Sequence, residues 1–501
     1  MATVAVAPEE GCGTVTQRDE PDPRRWQALA VCLIAGFITL LDVSIVNVAL
    51  PSIREGLGAS ESEIQWVLSG YALTFGLALV PAGRIGDARG RRMMFMTGLA
   101  LFTGASALCG AAQTSQWLVL ARLLQGIAGG ILTPQVSALI QQMFSGRERG
   151  RAFGMFGTVI GISTAVGPLL GGLIIKVFGA EEGWRWVFYV NLPIGILAFA
   201  LAWRLLPGPD HAHRACLREL DPIGVLLLGS GVVSLLLPLV EERQWKGPAK
   251  WLLVPVAAAF FGVFVLWEIR QGRHGRKPVV DLALFKVRSY TLGLLVMLFY
   301  FAGFTSIFFV FTLFFQSGLG YSALLAGVAI TPFALASAVG ASIGGRLVNR
   351  FGHTLVTGGL VLVAVGLGGA ILAVYEVPGQ AAGWALVAPL VCAGLGSGMV
   401  ISPNQTLTLA EVPPVQGGAA GGVLQTGQRI GSAMGIAAVG AVFFSQLAAV
   451  HGQDWAGPLR HGLVVSVGFV LAAFVVAFLD LRKERTPVPA EAGRGGTRVT
   501  R

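Results

Sequence analysis

Charged residues are scarce in this sequence, and their scarcity excludes most classes of soluble protein. Only 12% of the 501 residues are Asp, Glu, Lys or Arg, whereas 54% are hydrophobic. A water-soluble chain of this length cannot bury so much apolar surface, so much of that surface must face lipid. The mean hydropathy of +0.71 therefore predicts an integral membrane protein.

Residues that hold metals, form disulfides or bind nucleotides are also few or badly placed. The five cysteines form no CxxC pair, and the six histidines fall in predicted loops or at helix edges. We therefore expect no disulfide framework and no metal or haem site. The sequence has no GxxxxGK[ST] motif, which argues against ATP as the energy source. We expect a protein that is not an enzyme and that needs no cofactor.

Apolar runs long enough to cross a bilayer occur fourteen times, since a spanning helix needs about 20 such residues. The sequence therefore predicts an all-α integral membrane fold with 14 transmembrane helices. The predicted spans are 27–50, 64–83, 93–112, 117–138, 153–177, 187–206, 222–240, 252–269, 290–315, 323–345, 354–374, 383–403, 418–446 and 461–481.

The basic residues predict the orientation of these helices. When both termini are placed inside, 27 of the 36 Lys and Arg residues fall in inner segments and 7 in outer segments, while Arg122 and Arg429 lie within spans. Because Lys and Arg gather in cytoplasmic loops, we expect both termini to be cytoplasmic. The same rule accounts for the net charge of +10 without a nucleic-acid partner.

The two ends of the chain resemble each other. GRI (83–85) after helix 2 matches GRL (345–347) after helix 10, and the Gly-rich segments 126–135 and 154–172 match 394–405 and 422–440 in the same order. Six helices therefore occur twice, as two six-helix pseudo-repeats with a two-helix insertion between them. Two such halves around a midplane site are typical of an alternating-access transporter.

This repeat divides the chain into five parts. The division is a disordered cytoplasmic tail (1–25), an N-terminal six-helix bundle (26–208), two inserted helices with their loops (209–285), a C-terminal six-helix bundle (286–481) and a second cytoplasmic tail (482–501). The first residues lack the basic start and apolar stretch of a secretory signal.

Five motifs carry a resemblance to a known family. They are LDVSIVNVALPSI (41–53), GRIGDARGRR (83–92), ARLLQGIAGG (121–130), GISTAVGPLLGG (161–172) and WRWVFYVNLPIG (184–195). Over residues 26–481 the chain resembles the major facilitator superfamily, in particular its fourteen-helix drug/proton antiporter branch (EmrB/QacA type). The resemblance implies a protein of the bacterial inner membrane that exports small lipophilic compounds, driven by the proton gradient.

Asp42 is the one acid that the spans place deep in the membrane, where a carboxylate is costly and a functional role is the default. A medium of low dielectric favours the neutral form of a carboxyl group, so Asp42 is the candidate for proton binding. Counted from the predicted helix ends, Asp42 and Arg122 lie at similar depths, roughly 8–12 Å below the surface. We expect the two to meet, although a structural acid neutralised by Arg122 is the alternative.

Two motifs are candidates for gates. In helix 5, Pro168 denies one backbone hydrogen bond, and small residues allow close packing; the resemblance implies a gating role, and plain packing is the alternative. In the loop after helix 2, Asp87 and the nearby arginines can form a charge latch that locks one conformation. The alternative is that these arginines only set the membrane topology. The candidate gating residues are Gly83, Arg84, Asp87, Arg91, Gly161, Gly167, Pro168, Gly171 and Gly172. The second copy has Asn349 where an acid is expected, which predicts a weaker latch there.

Polar residues within the spans are candidates for the substrate cavity. Arg429 lies near the middle of helix 13, where a buried Arg needs a partner or a wet cavity. The candidates are Asn47, Gln125, Asn404, Gln425 and Arg429. Some members of the family that the chain resembles have a second acid at membrane depth, which suits divalent cations. Helices 9–14 carry none here, and together with Arg429 this argues against dications. Neutral or zwitterionic compounds, monocations and weak anions stay open as substrates.

Two other transporters fit the same residues. One exports a single antibiotic or metabolite made by the cell itself, and the other imports a solute with protons. For the favoured interpretation we expect the partners to be a small lipophilic substrate, protons and the lipid bilayer, and we expect the protein to be a monomer.

Overall fold

The computed structural model describes residues 23–179, 181–208, 221–241, 245, 247–274, 276, 278–450 and 454–484. Fourteen helices in this part of the chain are long and apolar enough to cross a membrane. They are α1 (Arg25–Leu57), α2 (Glu61–Arg89), α3 (Arg91–Gly110), α4 (Ser115–Met143), α5 (Gly146–Phe178), α6 (Gly183–Leu205), α7 (Pro222–Val240), α8 (Pro248–Arg273), α9 (Arg288–Gly318), α10 (Leu324–Phe351), α11 (His353–Glu376), α12 (Gly379–Thr408), α13 (Pro414–Ala449) and α14 (Ala456–Leu481).

Helix ends differ from the predicted spans because polar residues extend the helices beyond their apolar centres. Helix α1 runs to Leu57 rather than to residue 50, and it ends at Gly58 in the left-handed conformation. Ser60 and Glu63 form a capping box that starts α2, with each side chain bonded to the other's backbone N–H. The hydropathy pattern identifies only the apolar centre of each helix and not the polar turns that lead to its caps.

The predicted terminal tails lie mostly outside the described residues. Residues 1–22 and 485–501 belong to the part that the structure does not describe. Arg25, placed in the first tail by the sequence, is instead the first residue of α1, and its guanidinium pairs with Glu148 on α5 at 2.9 Å. At the other end, residues 482–484 continue the last helix.

The helices pack as two bundles with the same internal pairing. In the first bundle α1 packs on α5, α4 packs on both α2 and α3, and α3 packs on α6. In the second bundle α9 packs on α13, α12 packs on both α10 and α11, and α11 packs on α14. These are equivalent pairs when six helices are counted from the start of each bundle, so the predicted all-α fold with two six-helix repeats is confirmed.

The bundles meet along two seams, α2 against α13 and α5 against α10, which the repeat makes equivalent. We name the two ends of the molecule by their loops: the α2–α3 end carries the loop around Gly90, and the α1–α2 end carries the loop around Gly58. Contacts of α2 with α13 run from the middle of α2, at Phe75, to Asp87 at the α2–α3 end.

The inserted helices pack beside one seam. Helix α7 contacts both α2 and α13, while α8 packs on α7. At the α1–α2 end, the Gln65 amide donates a hydrogen bond to Glu241 at 3.2 Å, just after α7. Burial raises the pKa of the Glu241 carboxyl above its ordinary value. The insertion is therefore tied to the first bundle and covers the α2–α13 seam.

Candidate functional site

Asp42 on α1 lies at the centre of a buried polar network. Its side chain is fully buried, and one carboxylate oxygen lies 2.6 Å from a guanidinium nitrogen of Arg122 on α4. The other oxygen accepts hydrogen bonds from the amides of Gln125 at 2.9 Å and Asn191 at 3.1 Å. Donors from α4 and α6 thus converge on one carboxylate of α1.

Arg122 is held by several groups besides Asp42. Its Nε donates to the carbonyl of Val67 at 3.1 Å, and another nitrogen donates to Gln125 at 2.7 Å. Its guanidinium carbon lies 4.1 Å from the centre of the Tyr71 ring. Because a buried ion pair is favourable only when its remaining donors and acceptors are satisfied, these contacts are what stabilise the pair.

Asp42 and Arg122 lie at different distances from their helix ends, because α1 is longer than its predicted span. Helix α1 extends fifteen residues beyond Asp42, to Leu57, which is about 22 Å, whereas α4 begins at Ser115, about 10 Å from Arg122. The two side chains nevertheless meet, because α1 continues past the start of α4. The apolar part of α1 alone hid this continuation.

Asp87 lies at the α2–α3 end, where α2 meets the start of α13. Its two oxygens accept hydrogen bonds from the backbone N–H groups of Gly418 at 3.0 Å and Ala419 at 2.8 Å. The side chain is almost fully buried, and Arg91 pairs with it at 2.9 Å. The first turn of a helix has unpaired N–H groups and a partial positive charge, so the carboxylate caps α13 from the opposite bundle.

The other bases of this loop have different partners. Arg91 also donates to the carbonyl of Ala138 on α4 at 2.9 Å and contacts the carbonyl of Pro414. Arg92 contacts Trp203 instead. Arg84 lies within electrostatic reach of Glu268 on α8. Of the predicted latch charges Arg84, Asp87 and Arg91, the structure brings Asp87 and Arg91 together.

Close backbone approach is visible where α2 crosses α13. A Cβ atom added at Gly83 would overlap the backbone of Gly418, and one at Gly422 would lie 2.7 Å from the carbonyl oxygen of Leu79. The equivalent seam has the same feature, since a Cβ atom on Gly154 would lie 2.9 Å from the Cα atom of Gly345. Both seams therefore depend on residues without a side chain.

The glycine motif of α5 touches two partners. Gly167 and Gly171 face Ser44 and Ile45 of α1. Gly161 faces the α10 backbone, 2.8 Å from its Ala338 nitrogen when a Cβ is added. Two further motif residues, Pro168 and Gly172, face Gly327 and Leu324 of α10. The motif thus lies between a helix of its own bundle and a helix of the other.

The predicted cavity residues fall into three groups. Gln125 and Asn404 are buried and already bonded: Gln125 to Asp42, and Asn404 to the carbonyl of Gly293 on α9 at 2.9 Å. Asn47 is exposed on α1. Arg429 is half-buried over the Phe75 ring, and Gln425 lies one turn before it on the same face of α13. In this conformation Arg429 and Gln425 are the pair that lies at the seam.

Several residues of the site are absent from the sequence prediction. Tyr71 lies under Arg122, and Ser106 and Asn191 complete the network around Gln125 and Asp42. Asn191 could have been predicted from the sequence, because it is the one polar side chain after the aromatic residues of the WRWVFYVNLPIG motif. Tyr71 and Ser106 had none, since isolated hydroxyls are frequent in membrane helices.

Two contacts between distant segments also escaped the sequence. The Gln405 amide of α12 donates to Ser137 of α4 at 3.2 Å, which joins the two bundles. The Gln416 amide, at the start of α13, donates to Asp281 in the loop after α8 at 3.1 Å. The carboxylate of Glu268 on α8 accepts the backbone N–H of Val279, in that same loop, at 3.2 Å.

No group of three or more His, Cys, Asp or Glu side chains in the described part of the chain could hold a metal ion. The three cysteines of the described helices, Cys32, Cys109 and Cys392, are free thiols. Cys12 and Cys216, together with His211, His213 and His451, lie outside the described residues.

Comparisons with known proteins bear on the family. The model of the Major Facilitator Superfamily matches residues 32–436. The chain is 39% identical over 448 residues to a protein of Streptomyces coelicolor named "Probable actinorhodin transporter", covering 88% of this chain and 77% of that protein. It is 36% identical over 486 residues to the puromycin resistance protein pur8 of Streptomyces alboniger, covering 94% of each.

The fold is also found among solved structures. The proton:xylose symporter XylE superposes with a TM-score of 0.64, over 92% of this chain and 95% of that one, at 15% identity. This superposition shows the fold, while the family model and the Streptomyces relatives confirm the predictions of a transporter rather than an enzyme and of an efflux protein. The chain belongs to the Major Facilitator Superfamily and is a multi-pass membrane efflux transporter that carries small molecules.

Proposed function

We propose that this protein exports small lipophilic compounds in exchange for protons and that Asp42 binds the proton. The observation that carries the proposal is the network in which Asp42 meets Arg122 at 2.6 Å and accepts two further hydrogen bonds. An ionisable group inside a membrane bundle is a default site for proton transfer. No cofactor is needed, since the proton gradient supplies the energy.

Proton binding at Asp42 changes the electrostatic partner of Arg122. A neutral carboxyl group no longer attracts the guanidinium, whose charge must then find acceptors elsewhere in a medium of low dielectric. Tyr71 lies against Arg122 and Phe75 lies one turn beyond it, toward α13. A movement of Arg122 would therefore displace the Tyr71 and Phe75 rings and so change the packing at the α2–α13 seam, where the bundles must separate.

The gates are proposed to be the two closely packed seams. Gly83, Asp87 and Arg91 hold α2 on α13 at the α2–α3 end, with Arg84 beside them near Glu268 of α8. The α5 motif from Gly161 to Gly172 packs on α1 and α10. Bundles 26–208 and 286–481 would then rock against each other around the central site, as in other transporters built from repeats. Separation at the α2–α3 end breaks the two hydrogen bonds that cap α13 through Asp87.

The placement in the cell follows the basic residues. We propose that the protein resides as a monomer in the bacterial inner membrane with both termini in the cytoplasm, so that the α2–α3 end faces the cytoplasm. Because the seam is closed at the α2–α3 end, we propose that the compound is released at the α1–α2 end.

The test uses everted vesicles that hold a proton gradient, read with a pH-sensitive dye, and a panel of lipophilic compounds. We expect active compounds to dissipate the gradient with the wild type and not with Asp42→Asn. The matched control is Asp454→Asn, in the loop before α14, where Asp454 accepts N–H groups of the first turn. Asn caps a helix as well as Asp does, so this control is expected to behave as the wild type.

If Asp42→Asn responds as the wild type does, Asp42 does not bind the transported proton.

A second candidate function, export of one antibiotic or metabolite made by the cell, is favoured by the names of the two Streptomyces relatives, each of which mentions a single compound. The breadth of the panel decides between the two, because a dedicated exporter responds to one scaffold and ignores the rest.

A further inference from the structure

Arg429 brings a positive charge from one bundle onto an aromatic ring of the other. Its guanidinium carbon on α13 lies 4.3 Å from the centre of the Phe75 ring on α2. The side chain is half-buried. Within the described residues it makes neither a hydrogen bond nor an ion pair. A guanidinium carries five N–H donors, so a membrane Arg without an acceptor points to one supplied from outside the chain.

Tyr71 supplies a second donor beside Arg429. Its ring is 3% exposed, and its hydroxyl has no hydrogen-bond partner in the part of the chain that the structure describes. A Cβ atom added at Gly129 of α4 would lie 3.2 Å from this hydroxyl and 3.0 Å from the Phe75 ring, so the hydroxyl and that ring pack against the same position on α4. Arg429 lies within electrostatic reach of Tyr71.

Within the described residues, the two buried acids of this region do not pair with Arg429. Asp42, the carboxylate closest to Tyr71 in the network, already accepts bonds from Arg122, Gln125 and Asn191. Asp87, the other buried acid of this seam, is bound to Arg91 and to the first turn of α13. These two acids therefore leave the Arg429 guanidinium available to an acceptor from outside the chain.

We propose that Arg429 and the Tyr71 hydroxyl form a subsite for an acidic oxygen of the exported compound. A guanidinium binds carboxylates and similar anions through two parallel N–H bonds, and a phenol adds a third donor. The rings of Tyr71 and Phe75, with centroids 5.8 Å apart, provide apolar faces next to that oxygen. The preferred substrates are aromatic molecules with an ionised phenol, enol or carboxylic acid.

This subsite also explains how substrate and proton can affect each other, and the explanation rests on the proposed function. Tyr71 is shared, because Arg122 lies on its ring at 4.1 Å while its hydroxyl packs against α4 together with the Phe75 ring. An anion bound at Arg429 draws the Tyr71 hydroxyl toward itself. A proton on Asp42 moves the charge of Arg122 on the other face of the same ring.

The experiment compares two dyes with the same tricyclic skeleton, anionic fluorescein and cationic rhodamine 123. Binding is measured by fluorescence anisotropy with the full-length protein in dodecyl maltoside, free of anionic lipid. We expect Arg429→Gln to weaken fluorescein binding by about tenfold or more, with rhodamine 123 binding unchanged or tighter. Arg429→Lys should retain part of the affinity, because it keeps the charge and loses the two parallel donors, and Tyr71→Phe should lose part of it.

The matched control is Arg460→Gln. Arg460 also lies over an aromatic ring, that of Tyr375 at 5.1 Å, but it stands near the start of α14. Its removal should leave the binding of both dyes unchanged. Equal fluorescein affinity in Arg429→Gln and the wild type overturns the proposal, and so does an equal loss for both dyes, which would mean a structural role for Arg429.

The same dyes separate this inference from the proposed function. If rhodamine 123 dissipates the proton gradient through Asp42 while fluorescein neither binds nor is exported, export stands and the acidic-oxygen subsite falls. If fluorescein binds in a way that depends on Arg429 while neither dye affects the gradient, the subsite stands and proton exchange falls.

Discussion

The carboxylate of Asp87 and the backbone N–H of Gly418 are 3.0 Å apart although 331 residues separate them in the chain. This contact joins the end of α2 to the first turn of α13 and so crosses from one bundle to the other. A cap normally comes from the residues just before a helix. Here the other half of the molecule provides it, so the start of α13 is fully capped only while the seam is closed.

Replacing Asp87 with Ala is expected to open this seam. The two N–H groups lose their acceptor, and a hydrogen bond to a charged group contributes about 1.5–3 kcal/mol. In a background without native cysteines, a cysteine at Ala419, which is 5% exposed in the closed state, should react with a maleimide far faster in Asp87→Ala. Unchanged labelling would show that Asp87 does not hold the seam. Asp454→Ala serves as the control.

Gln125→Leu is expected to lower transport by about tenfold or more, because it removes an amide that bonds to Asp42 and leaves the donors of Arg122 short of one acceptor. Initial rates of gradient dissipation by an active compound give the comparison. Gln380→Leu, a change of the same kind at an exposed position in the first turn of α12, is the control. A Gln125→Leu protein with wild-type rates would remove the amide from the coupling network.

Gly154→Ala tests the α5–α10 seam. The new Cβ atom would lie 2.9 Å from the Gly345 Cα atom, and overpacking of this kind costs about 1–3 kcal/mol. We expect a lower Tm in detergent, measured by a thiol-independent fluorescence assay. Gly104→Ala in α3, where a Cβ atom meets nothing within 4 Å, should keep or raise the Tm, since Ala is the better helix former. Equal Tm values for both variants would contradict the packing described for this seam.

Glu268→Ala is expected to loosen the loop that follows α8. Without the carboxylate the backbone N–H of Val279 has no acceptor, and a buried unpaired donor costs about 1–3 kcal/mol. Hydrogen exchange should become faster at 279–281 and, through the Asp281–Gln416 bond, at the start of α13. The exposed Glu55→Ala provides the comparison. Faster exchange at 279–281 alone would mean that the loop and α13 are independent.

The orientation has a direct chemical test. Arg54 is exposed at the α1–α2 end and Arg346 is exposed near the α2–α3 end. In a background without native cysteines, Arg54→Cys should react with an impermeant maleimide on whole cells. Arg346→Cys should react only after the membrane is permeabilised. The reverse pattern would place the termini outside the cell and contradict the count of basic residues.

The sequence predicts the helices well because each span is a long apolar run with few charges. It predicts their ends poorly, because α1 continues through Arg54 and Glu55 to Leu57, and hydropathy cannot see a helix beyond the bilayer. The expected pairing of Asp42 and Arg122 rests on their positions in the predicted spans and on the resemblance to the family, and the structure places the two side chains 2.6 Å apart.

What the sequence does not predict is contact between the bundles. The bonds from Gly418 to Asp87 and from Gln405 to Ser137 join segments far apart in the chain, and neither member of a pair carries a local sign of the other. The same holds for the position of Arg429 over Phe75. Such contacts depend on which way the two bundles are tilted, and that is a property of the folded molecule.

Helix α7 touches both α2 and α13 and therefore bridges the line along which the two bundles must part. A lipophilic molecule that slides in sideways from the bilayer at this flank meets α7 before it meets the seam. At the flank of α5 and α10, close backbone contacts between these two helices form the seam, and neither inserted helix packs beside it. The two flanks of the transporter are therefore not equivalent: the inserted helix pair shields the α2–α13 flank from the bilayer, whereas the α5–α10 flank has no such cover in the described structure.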